Sequence, residues 1–396
     1  MRYDRRLVGW LSVGQLITWG SVFYTFALLM EPVERDLGLN RAQSSLAFSL
    51  ALLAEGAMAW TVGRWIDRGH ERAVMTGGSV LIAAGLLLHS FVQSAAGFYA
   101  VWALLGAALS ATLYTPVFAI VTRRFPNGFR RAIITLTFLG GLASTVFIPL
   151  DAWFISALGW RHALWVLAAI HLVVCAPLHF QVLRNAPVRR VASGAGDRPS
   201  RTASISHHLR SAPFLLIGVF TVLLMAVTAA LPPHMVSLLR GAGLPEAWAI
   251  AVPASIGLVQ VFGRALLYFF EHHFDLHLAN RLIPCLIPLG LAMLLAGAGH
   301  PAAALGFVLF YGMGNGMLTI VKGTAIAQYV DRDHVATLNG ALGLPTAIAR
   351  AIAPLLLGLL WTPNTGYTMG LSILLAASLM AVLALLAAQR SHRAAS

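Results

Sequence analysis

Apolar runs of membrane-crossing length recur along almost the whole chain. They cover residues 7–30, 44–66, 73–91, 98–121, 132–154 and 163–182, then 214–239, 247–270, 282–298, 302–321, 335–360 and 368–388. A helix needs ~20 apolar residues to cross the hydrocarbon of a bilayer. Inside that solvent every backbone N–H and C=O must be bonded within the protein, which leaves helices as the fold for runs of this kind. The chain is therefore expected to be an all-α membrane protein with 12 transmembrane helices. Its composition agrees: of 396 residues, 58% are hydrophobic and only 10% charged, and the mean hydropathy is +0.78. A soluble domain carries roughly 25% charged residues, so a soluble enzyme of this length is excluded. Arg5 and Arg6 precede the first run as they would a signal peptide. The run is too long for one, and Met30-Glu31-Pro32 offers no small-residue cleavage site, so it is expected to stay as the first span.

The net charge of +13 raises the question of nucleic acid. The positions of the cations answer it. With the N-terminus inside, Arg35, Arg41, Arg161 and Arg240 fall outside, Arg264, Lys322 and Arg350 fall within spans, and the other twenty of the 27 basic residues fall on the cytoplasmic side. That asymmetry is the positive-inside signature. It predicts cytoplasmic N and C termini and accounts for the charge without a nucleic-acid partner. Lys322 is the one lysine beside 26 arginines; with abundant alanine this suggests a GC-rich bacterial genome, hence a bacterial inner membrane. Cys175 and Cys285 lie in apolar runs and read as small buried hydrophobes rather than a disulfide or zinc site. No G-x-x-x-x-G-K-[ST] loop is present, so no nucleotide site or other cofactor is expected and transport must draw on a gradient. Glu271, His272, His273, Asp275 and His277 have the composition of a metal site but the spacing of none. They read as a solvated loop, and no metal is expected.

The longest polar stretch, 184–211, is basic and rich in Pro, Ser and Gly, as a flexible linker is. It divides the chain into six spans (1–183) and six spans (212–396). The halves echo each other: Gly63-Arg64 in Gly263-Arg264, and Pro149-Leu150 in Pro354-Leu355, at offsets of 200 and 205. Six spans, a linker and six spans with such echoes favour a parallel internal repeat.

With this layout, the loop GRWIDRGHER (63–72) resembles the gating loop of the major facilitator superfamily. The resemblance implies two six-helix bundles that expose a central site alternately to either side. It makes Gly63, Asp67, Arg68 and Arg72 the gating loop, with His70-Glu71 standing where the family's pattern is basic. A narrower resemblance, to monocarboxylate-transporter-like and oxalate/formate-exchanger-like members, rests on three segments: residues 19–50, residues 123–161 and IGLVQVFGR (256–264). It implies a substrate-binding arginine at Arg264. Gln260 stands where the monocarboxylate carriers have an acid, and Tyr24 where the animal carriers have a lysine. The oxalate/formate exchangers place cations in helices 8 and 11, and Arg264 and Arg350 match that pattern. By the fold's default the protein is expected to be a monomer.

An ionisable group inside a span costs at least about 2.5 kcal/mol to insert and so calls for a function or a partner. At about 1.5 Å of rise per residue, Arg350 lies about 20 Å from the cytoplasmic start of its run, too deep to snorkel easily, and Arg264 lies about 26 Å from the outer start of its own. Both are candidate anion ligands. Lys322, near the cytoplasmic end of its run, reads equally as a snorkelling residue. Glu55, central in its run, is the leading candidate for a carboxyl that takes up and releases a proton. Asp151, near the outer end of its run after Pro149, is the second, with an interfacial structural role weighed against coupling. Tyr24, Tyr114 and Asn315 are candidate cavity-lining residues. The Gly312-x-Gly314-x-Gly316 run and Gly140-Gly141 read as points of close helix approach. The expected partners are a small organic anion, a carboxylate first, with a coupling proton or counter-substrate, and the lipid bilayer. The alternative is proton-driven efflux of drugs or toxic compounds on the same fold, with Glu55 carrying the proton and the arginines structural.

Overall fold

A computed structural model describes residues 4–125, 129–184, 208–270, 276–297, 299–331 and 335–395. Its helices follow the apolar runs. The first six are α1 (Arg5–Leu37), α2 (Arg41–Asp67), α3 (Glu71–Ser90), α4 (Ala95–Arg124), α5 (Ala132–Leu158) and α6 (Trp160–Val182). The second six are α7 (Ala212–Gly241), α8 (Glu246–Phe270), α9 (Leu276–Ala296), α10 (Pro301–Tyr329), α11 (Val335–Leu359) and α12 (Thr368–Ala395). Among the described residues, eleven helices are long and apolar enough to cross a membrane, and α9 adds the shorter apolar segment Asn280–Ala296.

Local chemistry sets the ends. Asp4 caps α1 by accepting from the N–H groups of Arg6 and Leu7. Asn40 caps α2 in a reciprocal box with Gln43, satisfying donors that the first turn leaves open. Gly69, at φ +92°, makes the tight turn between α2 and α3 in a backbone region that a side chain disfavours.

Four spans depart from the uninterrupted helices that the apolar pattern suggests; α5 breaks at Leu142, between Gly141 and Ala143. In α1, Trp19–Tyr24 forms a π turn. In α6, His171–Cys175 forms a second. The path of α4 breaks at Ala111–Leu113 before resuming at Tyr114, and the carbonyl of Thr112 there accepts from Gln15 Nε2 of α1. A buried carbonyl freed by a helix break needs such a donor. Of the predicted linker, residues 185–207 lie outside the described residues.

The chain forms two compact units. Unit 1 holds residues 4–184 together with Pro232–Arg240 and Pro245–Leu258; unit 2 holds 208–231, Gly241–Leu244 and 259–395. One end of α7 and of α8 therefore packs with the first six helices. The seam is apolar (Ala27, Leu28, Ile148, Val236 and Ala254) with Tyr24 against it. Thr145 of α5 donates to the carbonyl of Ala254 at 2.7 Å.

Candidate functional site

The basic end of unit 1 is organised by Glu71. This side chain has no exposed surface and sits in the first turn of α3, where a helix N-terminus favours an anion. Arg124, at the end of α4, pairs with it through Nε and Nη2. Arg123 Nη1 lies 3.9 Å from its other oxygen and donates to the carbonyl of Ile66 in the last turn of α2. Arg124 Nη2 also reaches the carbonyl of Arg184 at 3.2 Å. One carboxylate thus ties the ends of α2, α3, α4 and α6. Of the predicted gating residues, Arg72 lies 3.5 Å over the ring of Phe180, Arg68 is exposed, and Gly63 has open space where a Cβ would stand. The side chain of Asp67 lies outside the described residues. The sequence pattern had no role for Glu71; the signal for one was an acid in a first turn with Arg123-Arg124 closing a nearby helix.

Higher in unit 1, the π turn of α1 gathers two kinds of side chain. On one face are aromatics: Trp19 lies 6.4 Å from Tyr24 and 5.2 Å from Tyr114 of α4, centroid to centroid. Tyr114 stacks on Phe118 at 5.2 Å, and its hydroxyl occupies the space beside Gly140. The structure therefore joins two of the predicted cavity residues, Tyr24 and Tyr114, through Trp19, which sequence reasoning missed. On the other face are hydroxyls: Ser21 meets His171 Nε2 of α6 at 2.7 Å, and Thr25 meets Asp151 Oδ2 of α5 at 2.6 Å. Ser12, Gln15, Thr18, Ser21 and Thr25 form a wholly buried polar stripe along α1. Buried polar groups need partners: α4, α5 and α6 supply them to Gln15, Thr25 and Ser21, and Ser12 donates to the Val8 carbonyl of α1 itself, while Thr18 Oγ1 makes no hydrogen bond among the described residues.

The two candidate coupling carboxyls differ in setting. Asp151 is wholly buried, and its Oδ1 makes no hydrogen bond among the described residues. Glu55 is half-buried in α2.

In unit 2, Arg264 is half-buried where α8 crosses α10. Its Nε donates to the carbonyl of Gly316 at 3.0 Å. The crossing is close because glycines make it: a Cβ on Gly316 would overlap the backbone of Gln260, and one on Gly263 would stand 3.3 Å from Met313 Cα. Asn315, half-buried, is the neighbour of the residue that holds Arg264. Arg350 is half-buried in α11. Helical periodicity sets it on the side of buried Thr346 and Leu357, away from the exposed Leu344, Ile348, Ile352 and Leu356. Lys322 of α10 is half-buried as well, so unit 2 holds cations from three helices. An apolar groove of ≈ 550 Å³ between α7 and α11, lined by Val222, Ala226, Ile348, Ile352 and Leu356 among others, includes none of the predicted site residues. Its aliphatic lining suits hydrocarbon.

Three of the four basic residues expected outside are neutralised at the end of unit 1 opposite Glu71. Arg41 pairs with Glu34 at 2.9 Å and with Glu31 at 3.8 Å. Arg161 pairs with Asp36 at 2.9 Å. Arg240 of α7 pairs with Glu31 of α1 and Glu246 of α8. Among the described residues no group of three or more His, Cys, Asp or Glu is placed to hold a metal; residues 271–275 of the His-rich loop lie outside them.

A family model, the Major Facilitator Superfamily, matches residues 11–354. The chain is 30% identical over 309 residues to monocarboxylate transporter 13 of Bos taurus, covering 76% of this chain and 67% of the relative. It is 29% identical over 265 residues to an MFS-type efflux pump of Mycolicibacterium smegmatis, covering 64% of this chain and 60% of the relative. Among solved structures, a bacterial homologue of the human drug peptide transporters superposes with a TM-score of 0.76 at 14% identity, over 98% of this chain and 99% of the other. The nucleoside transporter NupG superposes with a TM-score of 0.73 at 15% identity, over 97% and 98%. At those identities the solved structures speak for the fold alone. A helical chain with this architecture, matched by the family's model over most of its length, belongs to the major facilitator superfamily and is a multi-pass membrane protein of secondary transport.

Proposed function

We propose that the protein is a secondary transporter of a small organic anion, a carboxylate foremost, in a bacterial inner membrane with both termini cytoplasmic. The observation that carries this is the set of half-buried cations within unit 2: Arg264 at the α8–α10 crossing, Arg350 of α11 and Lys322 of α10. Guanidinium groups hold carboxylates through paired, charge-assisted hydrogen bonds. With Nε committed to Gly316, the Arg264 fork is fixed in direction, which lowers the entropy lost when an anion binds. Asn315 is the polar neighbour suited to a second contact. Within unit 1, Tyr24 and Tyr114 meet through Trp19 in an aromatic cluster. Proton coupling is assigned to Asp151, which is sealed from solvent, ahead of half-buried Glu55. The resemblance to monocarboxylate transporter 13 supports the anion class.

The second reading, proton-driven efflux of drugs or toxic compounds, is favoured by the resemblance to the mycobacterial efflux pump. In that reading Glu55 is the working carboxyl and the arginines are structural.

A thermal-stability screen in detergent separates the two, because a ligand that binds only the folded state raises stability by mass action. The panel holds mono- and dicarboxylates, inorganic anions and hydrophobic cations. The expected result is stabilisation by a carboxylate in the wild type and none in Arg350→Gln. Stabilisation by a hydrophobic cation, retained in Arg350→Gln, overturns the anion assignment in favour of efflux.

A further inference from the structure

The π turn of α1 has a hydrogen count that depends on a proton. Thr25 N–H donates to the carbonyl of Gly20, closing the wide turn. Thr25 Oγ1 lies 2.9 Å from that same carbonyl and 2.6 Å from Asp151 Oδ2. A threonine hydroxyl has one hydrogen, and a carbonyl has none to give. One hydrogen shared between both acceptors makes two weakened bonds, whereas both contacts are full hydrogen bonds when the carboxyl brings its own hydrogen: Asp151 donates to Thr25, and Thr25 donates to Gly20. When the carboxyl gives up that proton to water, the Thr25 hydrogen turns to Oδ2 and the Gly20 carbonyl loses a donor. The remaining lone pairs have nowhere to go, since Thr25 is 1% exposed and Asp151 not at all.

The turn is held where it can feel that change. A Cβ on Gly20 would overlap the ring of Phe147, one helical turn before Asp151 on the same face of α5. The turn also decides which aromatics meet. In an α-helix, residues five apart point about 140° away from each other. Across the π turn, Trp19 and Tyr24 lie 6.4 Å apart instead, and Trp19 reaches Tyr114. Short π segments of this kind recur at functional sites.

We propose that the π turn Trp19–Tyr24 is the coupling element of this transporter: the proton on Asp151, relayed by Thr25 to the Gly20 carbonyl, sets whether Trp19 and Tyr24 stand together on the opposite face. Thr25 is a positioning residue in this scheme. The inference rests on Asp151 as the coupling carboxyl. Among the described residues, the other titratable groups at the turn are its own Tyr24, Tyr114 of α4 and His171 of α6. His171 meets Ser21 at 2.7 Å, while Ser21 also lies 2.7 Å from the Ile17 carbonyl. His179, further along α6, meets Ser79 of α3 at 2.9 Å. From α2 the turn meets the ring of Phe48.

The test uses full-length protein in detergent labelled with fluorotryptophan, its Trp19 fluorine resonance assigned by Trp19→Phe and followed from acidic to alkaline pH without ligand. The proposal expects the wild-type resonance to titrate, Asp151→Asn and Thr25→Val to hold it fixed, and Thr25→Ser, which restores the hydroxyl, to recover the titration. His171→Gln, which keeps a donor toward Ser21, should leave the step in place. A wild-type resonance that does not move overturns the proposal. So does a step that survives in Asp151→Asn or Thr25→Val, or one abolished by His171→Gln and kept in Asp151→Asn. Because no substrate is present, failure here leaves the anion assignment standing, and failure of that assignment leaves this titration unaffected.

Discussion

Glu71 has no exposed surface, two arginines to answer it and a helix N-terminus behind it. Removing one partner of a buried ion pair strands the other charge, at a cost of roughly 3–5 kcal/mol. Glu71→Gln should therefore lower the stability of the detergent-solubilised protein by about 3 kcal/mol or more, read from its denaturant midpoint. An unchanged midpoint would mean that the ends of α2, α3, α4 and α6 are held by something else. The sequence pointed to the neighbouring loop and to Asp67, because a loop motif is read by position. Glu71 acts through residues more than fifty positions away, a distance that local pattern does not register. Arg264 and Arg350 were legible for the opposite reason. A cation within an apolar run stands out whatever its contacts, whereas the Gly316 carbonyl that holds Arg264 belongs to a helix whose sequence says only that it packs closely.

Among helices, the apolar pattern located each span but not its irregularities. A π turn inserts one residue of extra width, and an all-apolar run has no polar face whose phase would reveal the slip. The signal in α1 was instead the buried stripe Ser12, Gln15, Thr18, Ser21 and Thr25, whose last step is four residues rather than three. At the other end of the same helix, Glu31 joins α1 to α7 through Arg240. The proposed transport, working by alternating access, requires that end to open, so the pair should act as a latch. Val236 of α7 is wholly buried beneath it. A Val236→Cys reporter, in a Cys175→Ala, Cys285→Ser background, should react severalfold faster with a membrane-impermeant maleimide when Glu31→Gln or Arg240→Gln is added. The two together should add little to either alone, because one interaction cannot be removed twice. Additive acceleration, or none, would remove the latch from the account.

At the level of the whole chain, the twelve-helix architecture was open to reading because hydrocarbon permits so few alternatives: length, hydropathy and the placement of cations suffice. Four basic residues on the minority side looked like exceptions, and three of them turn out to be balanced by Glu31, Glu34, Asp36 and Glu246. What the sequence did not disclose is that the ends of α7 and α8 pack with unit 1. That grouping depends on contacts such as Thr145 to Ala254, between residues that no shared pattern marks as neighbours. Carboxylate transport by cations inside unit 2 is the proposal that matters most for this molecule. Its most direct test is uptake of labelled carboxylates into proteoliposomes, with an imposed proton gradient or with internal counter-substrate, for the wild type and for Arg350→Gln at matched, folded protein density. Saturable uptake of at least one carboxylate by the wild type is expected, reduced more than tenfold in the variant. Equal uptake by the two proteins, or none of any carboxylate beside active transport of a hydrophobic cation, would contradict it.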